Sequence, residues 1–276
     1  MLLRRWRTQR NVSQLALAER AGVSGRHLSF METGKALPSR EMVQRLAAVL
    51  QVPLQDQNAL LVSAGFAPLY GERELAAPEL EHVRLALEFI LRQQEPYPAI
   101  VVDGLWNVRM RNAAVYRIFS RFQERASDVV TDNAMRTVFH PDGLRPYIVN
   151  WEEFAGSLIQ SIHGEEASGA HPRTAQLRRE LLAYPGVPEQ WHTPDPLAFV
   201  PPLLTMQLRK GDLALGFFST ITTFAKPRDI TLQQLRIECL HPADEATAEY
   251  AARLHAEAAA RRRRDGTGSR EDGKVL

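Results

Sequence analysis

Histidine, aspartate and cysteine are the residue types most able to do covalent or acid–base chemistry, and in this chain they are scattered. His140-Pro141-Asp142-Gly143 sets an imidazole and a carboxylate two residues apart. A nucleophile–base–orienter set needs a nucleophile within reach of that base, and none accompanies the pair. There is no Gly-x-Ser-x-Gly elbow, Walker loop or dinucleotide fingerprint. His140 is therefore expected to cap a helix or pack in a loop, and the chain is read as a non-enzyme without a cofactor. His163, His171 and His192 are read as separate residues of polar loops, so no metal site is expected. Cys239 is the single cysteine and lies in an apolar strand. It is read as a small core residue, and its lack of a disulfide partner points to a reducing, cytoplasmic setting.

Charge offers a different chemistry. Residues 1–64 hold nine Lys/Arg against four acids, a formal +5, while the rest of the chain is at −3 within a total of +2. A small basic domain joined to a larger, slightly acidic one fits a nucleic-acid binder with a second module. The length of 276 residues and 45% hydrophobic content allow two ordinary domains and exclude a wholly disordered chain, a fibre or a disulfide-stapled miniprotein. No apolar run is long enough for a membrane span. The charged start, Met1 to Arg7, does not suit a signal peptide.

The first 65 residues read as five short helices. Leu3, Trp6 and Arg10 share one stripe of the first. Ser13 is an N-cap for the second, whose apolar face is marked by Leu15, Ala18 and Ala21. Gly22 supplies the positive φ of a tight turn and Val23 plugs the gap. Ser24 caps the third helix, with Leu28 and Met31 facing the core, and Gly34 and Pro38 end it. Ser39 caps the fourth, with Val43, Leu46, Ala47 and Leu50 buried. The fifth runs from about Leu54 to Ala64.

The pattern Gln14, Ala18, Gly22, Val23, Ser24, Glu32, Gly34 resembles the phage-repressor, Xre-type helix-turn-helix family over residues 3–64. The resemblance implies that the helix opened by Ser24 enters the DNA major groove. It places Gly25, Arg26 and Phe30 where bases are read, with Ser29 beside them, and Gln14, Thr33 and Lys35 where phosphates are clamped. It also implies an ion pair between Arg7 and Glu32, and a homodimer on two half-sites. The chemistry agrees: Arg26 can fork onto guanine O6 and N7, and Gln14 at a helix N-terminus can meet a phosphate. Gly25 offers no side chain and Phe30 only apolar contact, a departure from Gln-rich reading faces.

Pro68, Gly71 and Pro78 mark a linker, followed by an amphipathic helix from Glu79 to about Gln94 that connects the domains or pairs with its symmetry mate. The expected partition is 1–66 for DNA binding, 67–95 for linker and connecting helix with the domain boundary near residue 75, 96–255 for the second domain and 256–276 for a disordered basic tail. The connecting helix is the candidate coupling element. In the second domain, strands at 99–103 and 107–112 precede helices at 113–122, 149–162 and 175–182. Strands at 203–209, 213–220 and 235–240 follow, then a helical stretch at 245–260. Two strands, a helical insert and three strands give an α+β antiparallel sheet.

That order looks like a PAS-type sensor. The segments Glu95-Pro96-Tyr97-Pro98-Ala99, Asn112-Ala113-Ala114, His140-Pro141-Asp142-Gly143-Leu144, Tyr184-Pro185-Gly186, Phe218-Ser219-Thr220 and Pro242-Ala243-Asp244-Glu245 resemble the MmyB-like regulators over about residues 2–250. The resemblance implies a PAS-like domain for a small apolar or fatty-acid-like effector. The candidate pocket residues are the aromatics Trp106, Tyr116, Phe119, Trp151, Phe154 and Phe217, with Asn112, His140, Arg145 and Asn150 as polar groups. His140 or Arg145 would meet a carboxylate. The reading is a one-component regulator that binds operator DNA and a small molecule. The competing reading has a solid second domain that serves as a protein-interaction module.

Overall fold

The computed structural model describes residues 2–123, 132–168, 171, 173–195, 203–225 and 227–264. The chain forms two units, one of Met1–Glu74 with Ala225–Gln233, the other of Leu75–Phe224 with Gln234–Leu276.

Five helices build the first unit: α1 Leu2–Gln9, α2 Gln14–Ala21, α3 Gly25–Glu32, α4 Arg40–Val49 and α5 Leu54–Ser63. Each expected cap is made: Ser13 Oγ accepts from Ala16 N at 3.1 Å, Ser24 Oγ from His27 N at 3.2 Å, and Ser39 Oγ from Met42 N at 3.2 Å. Gly22 closes α2 at φ 65°, which lets Val23 N reach Ala18 O at 2.9 Å. The core gathers Trp6, Leu17, Leu28, Leu46 and Leu61. One stripe differs from expectation: Leu15 is 75% exposed and Leu17 fully buried. Ala18 and Ala21 fix the inward face of α2, and Leu17 lies one turn from Ala21 on that face, whereas Leu15 points away.

This unit also runs past the expected limit of 66. The Asn58 side chain accepts from Leu69 N at 2.8 Å and Tyr70 N at 3.0 Å, and donates to Tyr70 O at 2.7 Å. Arg73 pairs with Asp229 at 2.8 Å, and Ile230 N donates to Gly71 O at 2.9 Å. These bonds hold 67–74 and the distant Ala225–Gln233 to the helices, so the expected linker is divided. Helix α5 follows Pro53, which offers no side-chain cap. Gln233 Oε1 accepts from Leu54 N at 2.8 Å in its place.

The second unit opens with α6, Glu81–Gln93, after a 3-10 turn at Pro78–Leu80. Then come β1 Ala99–Val102, β2 Val108–Arg111, α7 Ala113–Phe119, α8 Ala134–Phe139, α9 Trp151–Ser168 and α10 Thr174–Leu182. Strands β3 Thr205–Lys210 and β4 Leu213–Thr223 follow, then α11 Ile230–Gln234, which begins in the first unit. Strand β5 Arg236–Pro242 and α12 Glu245–Arg264 close the chain's described part. Asp229 opens α11: its Oδ1 accepts from Thr231 N at 2.9 Å, while Thr231 Oγ1 donates to Arg73 O at 2.6 Å.

The strands form one antiparallel sheet in the order β2-β1-β5-β4-β3. This is the PAS-like α+β architecture that the sequence implied. The β1–β2 turn is built on Asp103, whose carboxylate accepts from Leu105 N at 2.8 Å, Asn107 N at 3.0 Å, Asn107 Nδ2 at 2.9 Å and Arg109 at 2.7 Å. That geometry holds Trp106 at φ 65°, a left-handed conformation rare for a bulky residue. Helix α6 contacts β1 and buries Val83, Leu87 and Leu91.

Helix α12 runs through Arg264, past the limit of 256 where disorder was expected. Alanine, glutamate and arginine are all strong helix formers. Glu245 in the first turn and Arg261 to Arg264 in the last complement the helix dipole. Residues 265–276 lie outside the described part.

Candidate DNA-reading helix and effector cavity

In the first unit, α3 presents an open face. Gly25 has nothing within 4 Å of where a Cβ would stand, so backbone can approach a partner closely there. Arg26 is exposed, with its guanidinium 5.4 Å from the centre of the Phe30 ring. That stacking holds a flexible side chain over the helix surface. Ser24 caps the helix, and Ser29 and Phe30 are partly exposed on it. Thr33 is exposed but turns its hydroxyl back to Ser29 O at 2.8 Å, and Lys35 is exposed.

Beneath this face lies a buried ion pair. Arg7 meets Glu32 through two bonds of 2.6 and 3.0 Å, and Gln14 Nε2 donates to Glu32 Oε2 at 2.6 Å. Glu32 is 4% exposed. Burial alone would raise its pKa, but the Arg7 and Gln14 bonds and the nearby Arg7 and Arg4 charges hold it below the usual carboxylate range. One N–H of the Gln14 amide is thus engaged. The second N–H of that amide and its position as first residue of α2 are what it offers outward.

In the second unit, the sheet and helices α7, α8 and α9 line a cavity of about 370 Å³ that is partly open to the surface. That falls within the range of small-molecule sites. Ile100, Met206 and Leu240 line its sheet side, and Val115, Met135 and Leu158 its helical side. Arg111, Gln123, Ser219 and Glu238 bring polar groups to the wall. The Glu238 carboxyl is pushed above its usual range by burial, with a Ser219 hydrogen bond opposing.

Of the expected pocket residues, Tyr116, Phe119 and Phe154 line this cavity. The others stand elsewhere. Trp106 is buried in a second cluster with Phe139 and Trp191, under the Arg236 guanidinium at 5.0 Å. Trp151 packs edge-on against Phe139 at 5.2 Å, and Phe217 is core, edge-on to Phe119 at 6.4 Å. Asn112 is a staple: its Oδ1 accepts from Ala99 N at 3.1 Å, and its Nδ2 donates to Leu91 O at 3.2 Å and Tyr97 O at 2.8 Å. Asn150 likewise ties the start of α9 to β3, donating to Thr205 O at 2.8 Å and accepting from Gln207 N at 3.0 Å. His140 ends α8, accepts from Asp142 N at 3.0 Å and packs on Tyr184. Arg145 stacks 4.7 Å over Trp151 and donates to Pro185 O. His163, expected in a polar loop, is instead buried in α9 and bonds Trp191 O at 2.9 Å.

The cavity's own polar residues, Arg111, Gln123 and Glu238, were not among the expected ones. Glu238 carried a readable signal: a lone acid between Ile237 and Leu240 in an apolar strand. Among the described residues, no group of three His, Cys, Asp or Glu is placed to hold a metal, and no helix is long and apolar enough to cross a membrane.

Two family models match successive stretches of the chain. A family model described as "MmyB-like transcription regulator ligand binding domain" matches residues 83–254, and a helix-turn-helix model matches residues 3–57. No curated protein matches the chain. A solved structure of an RNA-binding Light-Oxygen-Voltage receptor is similar at 12% identity with a TM-score of 0.29, the match covering 94% of this chain and 62% of that one.

Proposed function

Because the chain belongs to the MmyB-like transcription regulators, a DNA-binding family with a ligand-binding domain, we propose that it is a one-component switch whose C-terminal cavity takes a small apolar or fatty-acid-like effector. The observation that carries this reading is the apolar cavity of about 370 Å³, set in the same chain as a helix-turn-helix unit. A solid core would have favoured a protein-interaction module.

In this reading α3 enters the major groove. Arg26 reads a guanine edge, Ser29 and Phe30 touch neighbouring bases or sugars, and Gly25 admits the DNA backbone or base edge closely. Gln14, Ser24, Thr33 and Lys35 face phosphates. A homodimer reads two half-sites, and Leu85 and Phe89, exposed one turn apart on α6, are candidates for its surface. Tyr116, Phe119 and Phe154 contact the effector's apolar part. The effector shifts DNA binding only by binding two protomer arrangements with different affinity.

Native mass spectrometry of the protein purified from its own host tests the proposal. Extra mass of a few hundred daltons, lost on denaturation, supports it. A dimer that carries no adduct and gains none when incubated with apolar small molecules sinks the effector reading and favours protein interaction.

A further inference from the structure

Apolar walls accept many molecules, so discrimination among them falls to the few polar atoms of the cavity. Strand register sets Arg111 opposite Ile100 and Ile100 opposite Glu238, across β2, β1 and β5. Directly paired residues of neighbouring strands share a face, which puts Arg111 and Glu238 on the cavity side with their backbones roughly 10 Å apart. Gln123 lines the same cavity.

Two facts define what this end of the cavity lacks. Arg111 Nε and Gln123 Nε2 are buried and, among the described residues, have no hydrogen-bond partner. Both are donors, so they call for an acceptor and are ill-suited to a ligand ammonium. The positive charge, by contrast, is already met. Arg111 lies 2.9 Å from the Asp132 carboxylate. Arg109 and Arg136, which share an adjoining polar cleft with Arg111, are paired with Asp103 at 2.7 Å and Glu180 at 2.6 Å. Glu238 adds a further carboxyl group, which burial favours in its uncharged form. With Arg111 paired to Asp132, a ligand carboxylate would bring a charge that no free cation of the cavity wall compensates among the described residues. A carbonyl brings the acceptor and no charge.

We propose that the effector is an apolar molecule bearing an uncharged carbonyl, as an ester or amide, whose oxygen the Arg111 and Gln123 N–H groups turn to meet near Glu238, and that a free carboxylate is selected against. This rests on the reading of the cavity as the effector site.

The test uses the full chain loaded with an environment-sensitive apolar dye. Dodecanamide, methyl dodecanoate and dodecanoic acid are titrated in below their aggregation thresholds, at a mildly alkaline pH where the dissolved acid is ionised. The amide and ester are expected to displace the dye at concentrations at least about tenfold lower than the acid. In Asp132→Asn, which uncovers the charge of Arg111 at a residue 62% exposed at its side chain, the acid is expected to gain about tenfold while the amide and ester hold their values. Equal or tighter binding of the acid to the wild-type protein overturns the inference alone. A gap unchanged in Asp132→Asn overturns it as well. Failure of all three probes to bind overturns the effector-site reading and the inference with it.

Discussion

Arg26 and Glu32 lie on the same short helix and do opposite jobs. Arg26 is exposed, stacked on Phe30 and, among the described residues, in no ion pair, so its donors are available to a base edge. Arg26→Ala is expected to cost about 1–3 kcal/mol on the preferred operator and to flatten preference at one position. Binding to a panel of single-base operator variants checks this, and retained wild-type preference would remove Arg26 from the reading face. Glu32 is buried against Arg7 and Gln14. Its pKa is lowered in the folded state, so the stability it contributes is present above the ordinary carboxylate range and lost as pH falls through the depressed value. Glu32→Gln leaves Arg7 without its charge partner and is expected to cost about 3–5 kcal/mol at neutral pH. That deficit should shrink on acidification, as denaturant melts of both proteins from neutral to acid pH would show. The Arg7–Glu32 pair was legible because the resemblance to the Xre-type helix-turn-helix family implied it. The further bond from Gln14 was not, since it depends on how a side chain at the start of α2 turns.

At the scale of elements, strands and helices were readable wherever periodicity was strong. The expected strands at 107–112, 203–209 and 213–220 lie close to the observed β2, β3 and β4. Helix ends followed their serine caps. The β1–β2 turn depends on one carboxylate. Burial opposes the Asp103 charge, but bonds from Asn107 and Leu105 and the Arg109 charge outweigh it and hold its pKa low. Asp103→Ala is expected to lower stability by about 1.5–3 kcal/mol, read as a reduced urea midpoint with an unchanged slope. The cavity was the least legible element. Trp106, Asn112, Asn150 and Trp151 have the right chemistry for a pocket, yet each is used as a staple or core piece. Arg111, Ile100 and Glu238 come together only through the register of β2, β1 and β5, and register depends on pairings between segments far apart in the chain.

For the whole molecule, the order of the two parts was clear from charge and motif, but their borders were not. Linker composition ended the DNA-binding part at 66 and put the boundary between the domains near residue 75. The structure carries the first unit to Glu74 and adds Ala225–Gln233. No local signal marks that addition, because Asp229 and Gln233 are ordinary polar residues until Arg73 and Leu54 N meet them. Gln233→Ala should lower the melting temperature through the loss of a helix N-terminal acceptor, about 1 kcal/mol. A fragment of residues 1–74 should melt below the same helices in the intact chain, by calorimetry, since it lacks the Asp229 and Gln233 partners together.

A gene that encodes one body in two separated stretches does not recombine freely. Exchange of the first 74 codons between relatives would bring in new helices while leaving Asp229, Ile230, Thr231 and Gln233 from the old parent. Descendants that kept Arg73 with its acid and Leu54 with its acceptor would outlast mismatched ones. Inheritance in this lineage should therefore show the short β4–β5 connection travelling with the DNA-reading helices rather than with the strands that flank it.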